Sequence, residues 1–374
     1  MHNDHPNELK PPQGRDLSVD VIKGLAIVLL VYGHTWPFCC SFIHLFHPSI
    51  FLVTSGFCMK SRICTWGDWR RFMAGKVKTL YLPCAICNGI YALLGGLFLL
   101  LGLYTDDPAF LTLTAHWPVP QKLYAARNIG DILQKFFRCI LLTDTTQLGT
   151  ATWFLIMLFV IFAFHGAVCC LTAKLDLPKK RIVFAGLFIL TEVLAQFADL
   201  PFHAWMYPKC FFYCYLAYLA GIGIRDLDLK FLESPLCGGL SFVMLAVLSR
   251  FCFNDLANAN IVGVLSYLAG VLGGWSMLKA LANQITVHKR LTGIFCFFGR
   301  HTMPILCLHV LCFKPITWLY LRISELPKIY LAAFHVDFDA KGAWKLLYTV
   351  TGLALSLLLE FLWHRLRKTF PGKR

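Results

Sequence analysis

Apolar runs of close to twenty residues recur along the whole chain, and they limit the folds open to it more than any single motif does. A helix of about twenty residues spans the ~30 Å hydrocarbon core of a bilayer. Hydrophobic residues make up 57% of the 374 residues and charged residues only 15%, a composition typical of chains that face lipid. The sequence therefore predicts an all-α, polytopic membrane protein.

About ten transmembrane helices are expected, and the basic residues indicate their orientation. Cytoplasmic loops of membrane proteins are rich in Lys and Arg. With the N-terminus and C-terminus both cytoplasmic, the inward loops and tails hold 24 of the 35 basic residues. This arrangement predicts a cytoplasmic tail at 1–18, one transmembrane domain at 19–364 and a basic cytoplasmic tail at 365–374, with no cleavable signal peptide. The predicted spans are 19–38, 42–59, 80–104, 152–171, 182–200, 211–224, 236–253, 261–281, 301–321 and 344–363, of which the second and sixth are short enough to be tilted, buried or partly re-entrant.

The net charge of +15 could indicate a nucleic-acid partner. The basic residues, however, lie in short loops between apolar runs and form no continuous basic face. We therefore expect the lipid bilayer and no nucleic acid as a partner. The longest outward segment, 105–151, mixes charged and aromatic residues and suits a polar partner outside the membrane.

The chain contains 16 cysteines, most of them inside apolar runs. A thiol in such surroundings behaves as a small hydrophobic group. Cys84 and Cys87 have a spacing found in zinc sites, but the chain offers no second matching pair. The cysteines are therefore expected to pack rather than to bind metal or carry redox chemistry, and no metal site is predicted.

The first apolar run carries two ionisable groups, Lys23 and His34, eleven positions apart. Such groups are costly inside a membrane helix, so they usually serve function. Eleven residues of helix separate them by about 16 Å and return the chain to nearly the same face. A cation near the water boundary and a deep imidazole on one face suit a long ligand with an anionic end.

Two motifs near the N-terminus flank this pair. The first is Asp20-x-x-Lys23-Gly24 followed by Gly33-His34. The second runs from Phe46-His47-Pro48 through Ile50 to Ser55-Gly56-Phe57.

Further motifs lie later in the chain. Lys76-x-Lys78 leads into Leu80-x-x-Pro83, and Gly299-x-x-Thr302-x-x-Ile305-x-x-x-His309 opens the ninth apolar run. Trp153-Phe154-Leu155 adds a weaker match. Their order and spacing over residues 15–310 resemble the acyltransferase-3 family of integral membrane acyltransferases, although Pro48 follows His47 directly where the family has one residue between them, and Ile50 stands in a stretch that is often aromatic.

The resemblance implies transfer of an acyl group, usually acetyl, from cytoplasmic acyl-CoA to a hydroxyl of a carbohydrate or glycoconjugate. It implies a protein of the bacterial cytoplasmic (inner) membrane, with acetyl-CoA as donor substrate and no permanently bound cofactor. His34 is the expected catalytic residue, as a general base or as the group that takes the acyl first. The donor is expected to contact Lys23, Ser55, Gly56, Lys76, Lys78, Arg70 and Arg71, since its phosphates suit Lys and Arg.

Four further residues are candidates for supporting roles. Asp20 would pair with Lys23 or Arg15, and His47 would contact substrate or a helix end. Glu192, in the fifth run, would orient His34, bind the acceptor or pair structurally, because a carboxylate in the membrane needs a partner. His309 would be either functional or a packed core histidine.

The competing prediction is a transporter of a solute or a lipid-linked sugar. Buried His, Glu and Lys also suit proton-coupled transport. The sequence shows no convincing inverted repeat of the kind many transporters have, and the lysine–histidine spacing suits a long donor better than a small solute.

Overall fold

Helices make up most of the residues that the computed structural model of the protein describes, which are 16–59, 63–197, 208–254, 256 and 263–369. No strand occurs within these ranges, so the predicted all-α class is confirmed. Residues 1–15 of the predicted tail at 1–18, residues 370–374 of the predicted tail at 365–374, and residues 60–62, 198–207, 255 and 257–262, which include the start of the predicted span at 261–281, lie outside the described residues. The helices are α1 Leu17–Gly33, α2 Cys40–His44, α3 His47–Phe57, α4 Trp66–Lys76, α5 Leu82–Leu93, α6 Gly95–Leu100, α7 Ala109–Leu113, α8 Ile129–Ile140, α9 Trp153–Leu171, α10 Leu177–Phe197, α11 Pro208–Asp226, α12 Pro235–Leu248, α13 Val264–Ile285, α14 Lys289–Arg300, α15 Thr302–Ile323 and α16 Ala343–Thr369.

Five of the helical segments described are long and apolar enough to cross a membrane. Each of the ten predicted runs carries helix, but ten spans and cytoplasmic termini stay predictions. The run at 42–59 divides into α2 and α3, and the run at 80–104 divides at Leu94 into α5 and α6. The five segments are Cys40–Phe57, Thr150–Leu171, Val264–Ile285, Thr302–Ile323 and Ala343–Leu366.

Helix α1 lies at the centre of the fold and contacts α3, α13, α14, α15 and α16. Asp16 caps its N-terminus by accepting a hydrogen bond from the Ser18 N–H, and the buried Lys279 on α13 binds the same carboxylate at 2.9 Å. Gly24 lies so close to the Phe295 carbonyl on α14 that a Cβ at this position would clash with it. Small residues at such crossings let helix backbones approach.

Glycines also set the crossing of α3 and α11. A Cβ on Gly56 would collide with the Tyr218 carbonyl, and one on Gly221 with the Val53 carbonyl. Gly56 is therefore needed for helix packing. This crossing fixes the position of α3, which carries His47 at its first turn and Ser55 at its last.

Candidate active site

His34 follows the last residue of α1 and lies within a cluster of histidine rings. Its Nδ1 is 2.8 Å from Nε2 of His309 on α15. The His335 ring stacks on the His34 ring with centroids 4.7 Å apart and planes 9° apart. His47 presents its ring edge-on, with centroids 6.2 Å apart. Helices α1, α3 and α15 and the connection before α16 thus bring four histidines together.

The hydrogen-bond partners fix the tautomers of two of these rings. Nδ1 of His309 lies 2.8 Å from the Ile305 carbonyl oxygen, which can only accept, so this nitrogen carries the proton. In the neutral His309 ring, Nε2 then accepts, and His34 Nδ1–H donates to it. The remaining nitrogen of His34, Nε2, is left with a free lone pair.

This arrangement prepares His34 for proton abstraction or nucleophilic attack. Both reactions need an unprotonated ring nitrogen. His309 is fully buried, so it holds the His34 ring in one orientation without exchanging its bond for water. The hydrogen-bonded His309 thus occupies the orienting position that the sequence analysis considered for Glu192.

A cavity of about 610 Å³ opens beside His34, and we call it the His34 cavity. Its wall near the imidazole contains Trp36, His47 and His335. Residues within 119–154 supply a large part of the remaining wall, and most of them belong to the segment 105–151 predicted to lie outside the membrane. The cavity is large enough for a ligand with several polar groups.

A smaller cavity of about 260 Å³ lies beside Lys23, and we call it the Lys23 cavity. Lys23, Ser55 and Lys76 contribute polar groups, and most of the remaining wall is apolar. Lys23 is also 3.8 Å from Asp20, and its side chain is 36% exposed. Two ammonium groups on one narrow apolar cavity suit a ligand with an anionic end and a thin body.

The two cavities follow one face of α1. Lys23 and Ile27 line the Lys23 cavity, whereas Leu30 and His34 line the His34 cavity. These spacings of four, three and four residues place all of them on the same helix face. Phe154 on α9 lines both cavities and lies between them.

Only some of the other residues predicted to bind the donor line the Lys23 cavity. Ser55 and Lys76 line the Lys23 cavity, but Gly56 serves the α3–α11 crossing. The three remaining basic residues are exposed and line neither cavity; they are Arg70, Arg71 and Lys78. Glu192 is half-buried on α10, also away from both cavities.

Among the polar residues of the His34 cavity that sequence reasoning missed are His335 and Asn254. Neither lies in a motif. The segment 329–338 is mostly apolar, which is unusual for an exposed connection and is the signal that could have marked it as buried. Among the described residues, no group of three or more His, Cys, Asp or Glu has the geometry to hold a metal ion.

Comparison with known families agrees with the site's chemistry. The acyltransferase domain of the acyltransferase-3 family matches residues 16–362, nearly the whole chain. The chain belongs to this family and is therefore a membrane acyltransferase in general terms. No curated protein and no solved structure matches the chain.

Proposed function

We propose that this protein transfers an acyl group, acetyl in the simplest case, from cytoplasmic acyl-CoA to a hydroxyl of a carbohydrate or glycoconjugate. The single observation that carries the proposal is the His34 imidazole. His309 fixes its proton on Nδ1 and leaves Nε2 free at one end of a helix face whose other end carries Lys23.

The Lys23 cavity fits the donor. The phosphates of acyl-CoA favour cations, which Lys23 and Lys76 supply. The thin pantetheine arm suits the apolar passage along Ile27. Helix geometry sets about 16 Å between Lys23 and His34, a span that an extended pantetheine arm covers with its thioester at the far end.

The reaction can follow either of two routes. In the direct route, His34 Nε2 takes the proton of the acceptor hydroxyl as its oxygen attacks the thioester carbonyl. The new C–O bond forms, the C–S bond breaks, and the proton passes to the departing thiolate. In the two-step route, Nε2 attacks the thioester carbonyl, the C–S bond breaks and CoA leaves as its thiolate. The acceptor hydroxyl then attacks the acyl-histidine, the C–N bond breaks, and the proton of the hydroxyl passes through the freed imidazole to the thiolate.

The His34 cavity fits the acceptor, which is proposed to enter over segment 105–151. In that geometry the acyl group crosses the membrane while CoA stays on the side of Lys23. Membership of an acyltransferase family favours this function over the transporter that was the alternative prediction. Placement in a bacterial cytoplasmic membrane, with no permanently bound cofactor, belongs to the same proposal.

An assay of the purified protein in detergent tests the proposed function. Acetyl-CoA should release free thiol, and a saccharide acceptor should increase the rate and become acetylated. Release of thiol with no acetylated product would mean that the protein hydrolyses acetyl-CoA and does not transfer its acetyl group. No thiol release from acetyl-CoA or from longer acyl-CoA donors would reject the function.

A further inference from the structure

Four buried polar atoms, in two buried side chains and the half-buried His335, line the His34 cavity without hydrogen-bond partners. Nδ1 of His47, Nδ1 of His335 and both polar atoms of the Asn254 amide find none in the part of the chain that the structure describes. His47 is 6% exposed and Asn254 only 1%. Buried polar groups are normally paired because an unpaired one costs free energy. Several unpaired groups around one cavity therefore indicate a ligand that pairs them.

The position of His335 is fixed by its own segment. The buried Lys314 donates to the carbonyls of Leu331 and Ala333, at 3.0 and 2.6 Å. The Gln121 amide binds the Phe334 backbone twice, accepting from its N–H at 2.7 Å and donating to its carbonyl at 2.9 Å. Side chains from two distant parts of the chain thus hold the residues directly before His335 in place.

Burying the charge of Lys314 costs free energy. That cost is offset only if the backbone position that Lys314 holds is needed for function. The fixed geometry is the stacking of the His335 ring on the His34 ring. His335 is thereby aimed at the reaction centre, although it lies in the connection between α15 and α16 and outside every motif.

The chemistry of the three side chains indicates the kind of ligand. Burial lowers the pKa of His335 to about 3, so this ring is neutral near pH 7. A neutral imidazole donates one hydrogen bond and accepts one, and an amide donates and accepts two each. Hydroxyl groups also donate and accept, so they match these partners, whereas a carboxylate or phosphate can only accept when fully ionised.

The charged residues of the cavity do not select an anion. They lie within 122–144 and have both signs, and Lys135 is paired with Asp144 at 2.6 Å. The side chains that stack on or face the His34 ring are imidazoles, and of the charged lining residues Lys122 lies close enough to His335 to help lower the pKa of its ring.

We propose that His47, Asn254 and His335 form a subsite for a neutral polyol, binding the hydroxyl groups that neighbour the one to be acylated. The reacting hydroxyl then lies at Nε2 of His34, in the plane of that ring and at the edge of the stacked His335 ring. This proposal rests on the proposed function and names its acceptor class, a neutral sugar with adjacent free hydroxyls.

The first test measures stability and needs no turnover. Asn254→Leu removes both unpaired atoms at similar volume and should raise the melting temperature of the ligand-free protein by a few degrees. The methyl glycosides of glucose, galactose and N-acetylglucosamine, at millimolar concentrations, should raise the melting temperature of the wild type but not of Asn254→Leu. The control is Asn283→Leu, since Asn283 on α13 lies outside both cavities; this variant should respond to the glycosides as the wild type does.

The second test separates transfer from hydrolysis. His335→Phe keeps a ring that can stack on His34 but removes both nitrogens. In this variant and in Asn254→Leu, the ratio of glycoside acetylation to acetyl-CoA hydrolysis should fall by about tenfold, the value of one lost hydrogen bond. The KM for the glycoside should rise more than the KM for acetyl-CoA.

The results of these two tests show separately whether the polyol subsite fails and whether the proposed transferase function fails. Glycosides that stabilise the wild type while no acyl-CoA releases thiol would reject the transferase and keep the subsite. Thiol release with glycosides that neither stabilise nor accept acetyl would reject the subsite. A melting temperature of Asn254→Leu below that of wild type, or an unchanged transfer ratio in both variants, would also overturn it.

Discussion

The Lys23 cavity and the His34 cavity share one face of α1 but have opposite characters. The Lys23 cavity is narrow, mostly apolar and carries two ammonium groups. The His34 cavity has more than twice the volume and is lined by imidazole and amide groups together with five charged side chains of both signs. A long anionic donor fits the first and a broad hydroxylated acceptor fits the second. Under the proposed function, donor specificity and acceptor specificity would therefore be set at two different cavities along α1.

A single rigid helix sets the distance between these two sites. Lys23 and His34 are fixed on α1 by backbone geometry, so their separation does not depend on loop conformation. The histidine cluster then fixes the ring at the far end through bonds from α15. This arrangement makes three kinds of variant separable: those at the reaction centre, those of the Lys23 cavity and those at the exposed surface.

The largest effect is expected for His34→Ala, which removes the group that belongs to both routes. General acid–base catalysis contributes about 10²–10⁴-fold, so acetylation should fall below a tenth of the wild-type rate. Glycan acetylation at matched protein levels is the measurement. His288→Ala is the control, because His288 is exposed and lines neither cavity. Activity above a tenth of wild type in His34→Ala would remove His34 from the chemistry.

A smaller loss is expected for His309→Phe, which keeps a ring but removes the acceptor of the His34 proton. His34 can then take the other tautomer, so turnover should fall by roughly tenfold to a hundredfold, as when orienting partners of histidine are removed elsewhere. The KM for acetyl-CoA should stay close to the wild-type value, because His309 lies outside the Lys23 cavity. Wild-type turnover would show that the bond to His309 serves packing alone.

Substitutions of Lys23 in the Lys23 cavity are expected to change mainly the KM for acetyl-CoA. A charge-assisted hydrogen bond is worth about 1.5–3 kcal/mol, and the partial exposure of Lys23 favours the lower end. Lys23→Ala should therefore raise the KM for acetyl-CoA roughly tenfold, and Lys23→Arg should retain much of the activity. Steady-state kinetics with varied donor is the measurement. A large loss of turnover at unchanged KM would contradict this prediction, because it would show that Lys23 acts in the chemical step and not in binding the donor.

The smallest effect compares two lysines of one motif. Lys76 lines the Lys23 cavity, whereas Lys78 is exposed two residues later. Lys76→Ala should raise the KM for acetyl-CoA a few-fold, and Lys78→Ala should leave it unchanged. Equal effects of the two changes would mean that the basic residues act by general attraction of the donor and not through the cavity.

The sequence was sufficient for features that depend on local periodicity. The apolar runs gave the helical class, and the eleven-residue spacing of Lys23 and His34 gave one helix face. The same periodicity could not show where a run is interrupted, as at Leu94 between α5 and α6. The chain is equally apolar on both sides of this break, and one span at 80–104 stays a prediction.

Features that depend on tertiary contacts were beyond the sequence. Gly56 and Ser55 are neighbours in one motif, yet Gly56 packs against Tyr218 while Ser55 lines the Lys23 cavity. His309 follows His34 by 275 residues, and only the crossing of α1 and α15 shows that the rings are bonded. Asn254 and His335 lack any local signature because their role depends on what surrounds them.

The central claim is that donor and acceptor reach His34 from opposite sides of the membrane. Sealed vesicles of both orientations test it directly, with the saccharide acceptor trapped inside and acetyl-CoA added outside. In inside-out vesicles the face predicted to be cytoplasmic is exposed to the donor, so the trapped acceptor should be acetylated; in right-side-out vesicles it should not. Equal acetylation in both orientations, with vesicles shown to be intact, would contradict the account.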